Sequence, residues 1–232
     1  MIRVASYNMR KAIGTDRRRK PERTLDVLNE LGADVVALQE ADRRFGARAS
    51  AIPLPLIESH SDYKAVAFEA RDGSIGWHGN AILVRKEAEV LHQALIHLPS
   101  LEPRGAVLAD IRLRGENVRV VGMHLDLSGL WRRRQAAAIL EAARGGGESA
   151  PPAVLMGDLN EWSLRGGCLK DFAEHCRFAE CGKSFHVRRP VARLDRIMVT
   201  DGLEVAECGV HQSAAAKKAS DHFPVWAVLK RG

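Results

Sequence analysis

Short apolar runs separated by polar breaks recur along the whole chain, and most are of strand length. Ile2-Arg3-Val4-Ala5-Ser6-Tyr7 alternates and stops at Asn8, and Val35-Val36-Ala37-Leu38-Gln39 stops at Glu40. Val118-Arg119-Val120-Val121-Gly122-Met123 stops at His124, and Val154-Leu155-Met156 stops on Gly157-Asp158-Leu159-Asn160. Runs of this kind, bounded by breakers, read as strands. Further strands are predicted at Tyr63–Phe68, Ala81–Val84, Val90–Ile96, Ala106–Ile111, Leu194–Val199, Glu204–Gln212 and Phe223–Leu229.

Helical periodicity is rarer. Pro21 is placed to open a helix whose apolar face is Leu25, Val27, Leu28 and Leu31 and which Gly32 closes. Trp131 to Arg144 reads as amphipathic with Ile139 and Leu140 inward, and a short helix is expected around Leu164–Cys176. The stretch from Asp42 to His60, with Ile52-Pro53-Leu54-Pro55-Leu56, is expected to be a loop covering apolar surface. Gly73, Gly76 and Gly79 frame Trp77 and His78 ahead of Asn80, either as a loop that touches substrate or as a hairpin connection against which Trp77 packs.

Strands outnumber helices throughout, so the expected fold is an α+β domain of two facing mixed sheets with helices outside. A chain of 232 residues can bury a large core as one domain. No linker, internal repeat or low-complexity tract divides 1–232, and the breaker-rich Gly145–Pro152 segment reads as a loop between a helix and a strand.

The polar residues at the strand ends change the picture from packing to chemistry. In a pleat Asp158 and Asn160 point the same way, so a carboxylate and a carboxamide converge, a pairing that suits a hard cation and a phosphate oxygen. Taken alone, Gly157-Asp158 reads equally well as a turn with Asn160 as a cap. A strand-helix-strand unit would also bring Asn8 and Glu40 together.

Charge points the same way. Thirty-five Lys and Arg against 29 Asp and Glu give a net charge of +6, which favours an anionic partner. The clusters Arg17-Arg18-Arg19-Lys20, Arg132-Arg133-Arg134, Arg188-Arg189 with Arg193, and Lys217-Lys218 each read individually as a solvated face. Their positions beside the motifs suggest a positive rim for phosphates. Arg132, Arg133 and Arg134 oppose the dipole at the start of their helix, which an anionic ligand would relieve. Only 5% of residues are aromatic, so stacking platforms for a nucleic acid would be sparse. Cys168, Cys176, Cys181 and Cys208 lack a Cys-x-x-Cys spacing and read as buried or inert thiols. With no basic leader followed by an apolar stretch and no run of membrane-spanning length, the chain is expected to be cytoplasmic; it is also expected to be a monomer.

Tyr7-Asn8, Leu38-Gln39-Glu40, Gly79-Asn80, Gly122-Met123-His124, Gly157-Asp158-Leu159-Asn160, Leu194-Asp195-Arg196-Ile197 and Ser220-Asp221-His222 follow one another in this order. The ordered set resembles the endonuclease/exonuclease/phosphatase superfamily, which includes type I deoxyribonucleases, apurinic-site endonucleases, neutral sphingomyelinases and inositol-polyphosphate 5-phosphatases. The resemblance implies a four-layer αββα sandwich with the site at the shared sheet edge. It implies Glu40 as the principal metal carboxylate, Asn8 as a ligand or as the group that holds Glu40, and Asp221 and Asp158 completing the metal environment. The expected ion is Mg²⁺, with Mn²⁺ as a substitute. His222 paired with Asp195 would handle protons, since a carboxylate on one ring nitrogen fixes the tautomer and supports charge on the other. Asp158 would orient the attacking water, Asn160 would bind a non-bridging oxygen, and His124 falls where some relatives carry a second catalytic histidine. Arg104, Arg10 and Asn80 are the further expected phosphate contacts.

The chain also departs from the family. Arg10 stands where apurinic-site endonucleases carry an acid and adds charge for a second phosphate. No carboxylate partner for His124 is identifiable, and little sequence remains for insertions that grip DNA. The expectation is a Mg²⁺-dependent hydrolase of a phosphodiester, with a small or lipid-derived phosphodiester and a nucleic acid as substrates to weigh. A nuclease or a phosphomonoesterase is the alternative, and a non-catalytic anion-binding protein is the remote one. Against the last, Asn8, Glu40, Asp158, Asn160, Asp195, Asp221 and His222 are all present.

Overall fold

The structure, a computed structural model, describes residues 1–43, 49–68, 73–100, 104–147 and 150–232. Among the described residues, twelve strands form two six-stranded mixed sheets. The first contains β1 (Ile2–Asn8), β2 (Val35–Gln39), β3 (Tyr63–Ala65), β4 (Ala81–Arg85), β11 (Leu203–Val210) and β12 (Val225–Arg231), in the order β11-β12-β1-β2-β4-β3. The second contains β5 (Glu89–His97), β6 (Gly105–Leu113), β7 (Glu116–His124), β8 (Ala153–Asp158), β9 (Arg177–Phe178) and β10 (Asp195–Val199), in the order β5-β6-β7-β8-β10-β9.

Period-two alternation divides the apolar residues among three cores. Val4, Val35, Ala37, Val120, Val154, Met156 and Ile197 meet between the sheets. Their neighbours Ala5, Tyr7, Val36 and Leu38 face α1 (Pro21–Leu31), α2 (Leu54–His60) and α5 (Ala214–Ala219) on the outside of the first sheet. Val121, Met123 and Leu155 face α3 (Gly129–Arg144) and α4 (Cys168–Ala173) on the outside of the second. The result is the expected four-layer αββα sandwich. The continuous apolar character of the central strands follows from burial on both faces.

Two parallel strand pairs define the working edge. β1 and β2 are joined through α1 and pair from Val4↔Val35 to Asn8↔Gln39. β7 and β8 are joined through α3 and pair from Arg119↔Ala153 to His124↔Asp158. Asn8 continues the inward row of Val4, His124 that of Val118 and Val120, and Asp158 that of Val154 and Met156. The polar residues therefore top the inter-sheet core. Beneath them the sheets approach closely, since a Cβ on Gly122 would lie 3.2 Å from that of Ala37.

Three expectations need correction. The 42–60 stretch is not all loop, because α2 begins at Leu54 with Pro53 as its N-cap and Pro55 in its first turn, where a missing amide costs nothing. Arg132, Arg133 and Arg134 do not wait for an external anion. Arg132 is buried on Glu161 (3.0 Å) and on the carbonyl of Leu127 (2.6 Å), Arg133 clasps Asp171 (2.9 Å), and Arg134 lies over the Trp131 ring. The 223–229 strand begins only at Val225, and α5 was not expected.

Close backbone approach makes Gly157 a sensitive position. A Cβ there would lie 1.9 Å from the carbonyl oxygen of Met123 on the paired strand. Gly157→Ala is expected to destabilise the fold by about 3 kcal/mol, read as a lower urea midpoint. An unchanged midpoint would show that β7 and β8 can separate locally without cost.

Candidate active site

Each expected polar residue of the set arrives at the sheet edge from its own element. Asn8 ends β1, His124 ends β7, Asp158 ends β8 and Asp195 opens β10, opposite Asp158 in register. His222 lies just before β12, in the segment that follows α5.

Asp158 is the hub. It is 2% exposed. Its Oδ2 accepts a hydrogen bond from Asn8 Nδ2 at 2.9 Å and lies 3.6 Å from His124 Nε2 and 3.8 Å from His222 Nε2. Its Oδ1 accepts from the backbone N–H of Asn160 at 3.0 Å. Asn160 reaches this position through a left-handed turn (φ 49°), not along a continued pleat as expected. Its side chain donates to the Leu125 carbonyl at 2.9 Å and ties the loops after β7 and β8 together.

His222 and Asp195 form a buried pair. Asp195 Oδ2 lies 2.8 Å from His222 Nδ1 and also accepts from Ser184 Oγ at 2.5 Å. Burial alone would lower the His222 pKa, but the charge of Asp195, its hydrogen bond, and then Asp158 and Asp221 outweigh that and raise it to about 10. His124 behaves oppositely. Burial lowers its pKa to about 3; Asp158 opposes the shift, while Arg104 and then His222 reinforce it. Arg104 Nη1 lies 3.1 Å from both His124 ring nitrogens.

The remaining expected residues are placed less simply. Glu40 follows β2 in a left-handed conformation (φ 53°), and its Oε2 is held by Lys11 Nζ. Asp221 pairs with Arg10 at 3.3 Å. Asn80 is fully buried, and its amide nitrogen donates to the carbonyls of Gly105 (2.7 Å) and Trp77 (3.3 Å). Both donors are thereby engaged in structure, which argues against the phosphate contact expected of it. Trp77 packs against Gly105, where a Cβ would come within 2.5 Å of its ring, in keeping with the packing alternative.

Four contributors were missed. Lys11 neutralises Glu40, Ser184 braces Asp195, Phe185 lays its ring 4.7 Å from that of His222, and Ser220 Oγ donates to the Asn8 carbonyl at 2.7 Å. Only Ser220 had a signal, its place in Ser-Asp-His. Among the described residues, Asp158, Asp195 and His222 form the one acid and histidine group whose ligand atoms all lie within 4.8 Å of one another, so a metal ion could be held there.

A family model described as "Endonuclease/Exonuclease/phosphatase family" matches residues 5–222. The chain belongs to that family. Its members are hydrolases of phosphoester bonds. A mannosyl-6-phosphatase from Bacteroides thetaiotaomicron superposes with a TM-score of 0.77 at 20% identity, covering 99% of this chain and 100% of that one. D. rerio TDP2 complexed with a single-strand DNA product gives 0.75 at 17% identity, covering 99% and 98%. The human Nocturnin catalytic domain with bound sulfate gives 0.74 at 18%, covering 100% and 94%. At these identities the likeness is one of fold. No curated protein matches the chain. No helix among the described residues is long and apolar enough to cross a membrane.

The two histidines give a titration test. A pKa raised above the ordinary 6.5 means that His222 contributes stability in full below 6.5 and loses it as pH rises through about 10. The depressed pKa of His124 means that keeping it neutral costs stability as pH falls below 6.5 towards about 3. In chelator-treated protein, ¹⁵N ring shifts should show His222 protonated and His124 neutral at pH 7. A His222 that titrates near its ordinary value would contradict the assigned environment.

Proposed function

We propose that the protein is a Mg²⁺-dependent hydrolase of phosphodiester bonds that directs water in line at phosphorus. The observation that carries this reading is the buried row from Asp195 through His222 to Asp158, with Asn8 fixing the far carboxylate. Three ionisable groups in contact at a sheet edge, with their hydrogen bonds set by the scaffold, are what proton transfer needs.

His222 Nδ1–H donates to Asp195, leaving Nε2 on the Asp158 side. Its raised pKa keeps it charged near neutrality, suited to protonating the leaving oxygen. Asp158, held by Asn8 and by the Asn160 backbone, accepts a hydrogen from the attacking water. Asn160 keeps a second amide hydrogen for a non-bridging oxygen. Neutral His124 with Arg104 beside it places a donor and a positive charge on the same face. Arg10 and Lys11 add further positive charge next to Asp221 and Glu40. Positioned acid or base catalysis of this kind contributes about 10²–10⁴-fold.

The donors fit a hard divalent ion. Carboxylate and amide oxygens of Glu40, Asn8, Asp158 and Asp221 are its preferred ligands, whereas a protonated His222 with Nδ1 turned to Asp195 offers an ion no free imidazole nitrogen. We therefore favour Glu40 with Asn8 for the ion over the Asp158, Asp195 and His222 group, which suits proton transfer. Such an ion, when bound, would polarise the phosphoryl group and screen charge on the leaving oxygen.

The test is turnover of bis-p-nitrophenyl phosphate beside p-nitrophenyl phosphate, with and without Mg²⁺. Metal-dependent preference for the diester is expected, and no turnover of either would sink the reading. Glu40→Ala should abolish calorimetric Mg²⁺ binding and activity together while the unfolding midpoint stays unchanged, and a mutant with wild-type Mg²⁺ affinity would remove Glu40 from the metal site.

Asp195→Asn and His222→Ala should each lower kcat severely. The double mutant should be little worse than the more damaging single, because the pair acts as one unit. Multiplicative losses would show two independent contributors.

A further inference from the structure

Among the described residues, the most exposed large apolar side chains, Met1 aside, are Leu164 (69%), Leu127 (67%), Trp162 (63%), Leu130 (61%) and Val191 (54%). All five stand around the same sheet edge as the candidate site. Leu127 follows His124, and Leu130 sits in the first turn of α3. Trp162 and Leu164 follow Asp158 and Asn160, and Val191 precedes Asp195.

Two of them, Trp162 and Val191, are linked to the site through Phe185, and the loops that carry the others are tied to it. Asn160 bonds the Leu125 carbonyl, joining the first two loops. The Trp162 ring meets Phe185 edge-on at 6.0 Å, Val191 N–H donates to the Phe185 carbonyl at 2.8 Å, and the Phe185 ring lies 4.7 Å from that of His222. The five thus form an apolar collar around the edge, joined to His222 at Trp162 and Val191 through Phe185.

Large apolar side chains exposed singly are ordinary, but five gathered around one sheet edge beside a buried polar site mark a place where something binds. The chemistry of the collar narrows the choice. Four of its five tips are aliphatic and offer no π-face for a nucleic-acid base. Cationic side chains flank it. Arg165, Arg188 and Arg189 are exposed on the same loops. On the other side of His222, exposed Lys217 and Lys218 lie beside the Arg17–Lys20 run, with Thr15 N–H donating to the Lys218 carbonyl at 3.1 Å. Alkyl tips with a tryptophan, bordered by Arg and Lys, match a lipid–water boundary whose headgroups are anionic.

We propose that this collar docks the protein on the surface of a bilayer containing anionic phospholipid, so that the catalytic edge faces the headgroup layer. The docking stands on the surface alone, and the use of a membrane phosphodiester as substrate rests on the reading of the site given above.

The experiment is vesicle flotation of the full chain. Vesicles of phosphatidylcholine alone are compared with vesicles containing about one third phosphatidylglycerol. The variant is Leu127→Ser with Leu130→Ser and Trp162→Ser, and turnover of soluble bis-p-nitrophenyl phosphate is measured on the same preparations. The wild type should float with the anionic vesicles, and the triple variant should partition about tenfold less or weaker still, with soluble turnover unchanged. A single Trp162→Ser protein serves if the triple variant fails to fold, with a smaller loss in the same direction.

A wild type that stays unbound, or a folded variant that floats as well as the wild type, would overturn the proposal. So would wild-type preference for a single-stranded oligonucleotide over vesicles. A protein that floats as expected yet turns over no phosphodiester would support the docking and remove the catalytic reading.

Discussion

The hydrogen bond from Asn8 to Asp158 joins two strands that belong to different sheets. Below it, past a buried hydrogen bond from Ser6 Oγ to Gln39, the facing rows are apolar and small enough at Ala37 and Gly122 for close approach. Above it the core opens, and a buried carboxylate is met by an amide, a backbone N–H and two imidazoles. Buried charge is tolerated only with such partners. The site is therefore the place where the inter-sheet core ends, and its geometry depends on how the two sheets are set against one another.

Much of this was legible because strands buried on both faces announce themselves as unbroken apolar runs, and the polar residue that ends each run marks the edge. Asn8, Glu40, His124 and Asp158 are legible in that way, whereas Asp195, which opens its strand, is legible only through the family motif, and the resemblance supplies the expected roles of all five. What stayed hidden was anything decided by tertiary contact. Arg132 looked like a surface cation because its partner Glu161 lies 29 positions away. Ser184 has no local pattern, yet it braces Asp195. The prolines of 52–56 were read as breakers, although at a helix start they cost nothing.

Left-handed residues are concentrated at the site in a way no sequence pattern reveals. Arg10, Lys11, Ala12, Glu40 and Asn160 all have positive φ, and none is glycine. Such conformations are disfavoured for residues with a Cβ and persist where the surroundings fix them. Here the Lys11 N–H donates to the Glu40 carbonyl at 3.0 Å, and the Ala41 N–H donates to the Gly79 carbonyl at 2.8 Å. The scaffold holds these turns, which set the directions of the two cations and the carboxylate they accompany.

The strand order has a consequence for synthesis on the ribosome. The second sheet is contiguous in sequence, from Glu89 to Val199, and can close as soon as that stretch has emerged. The first cannot, because β1 pairs with β12, Ile2 against Leu229 and Ser6 against Val225. The nascent N-terminal strand must keep one edge unsatisfied until translation reaches Arg231, and an exposed strand edge is a hazard for aggregation. His222 comes from the same late segment, so a growing chain can close the Asp195–His222 pair only once nearly all of both sheets has emerged.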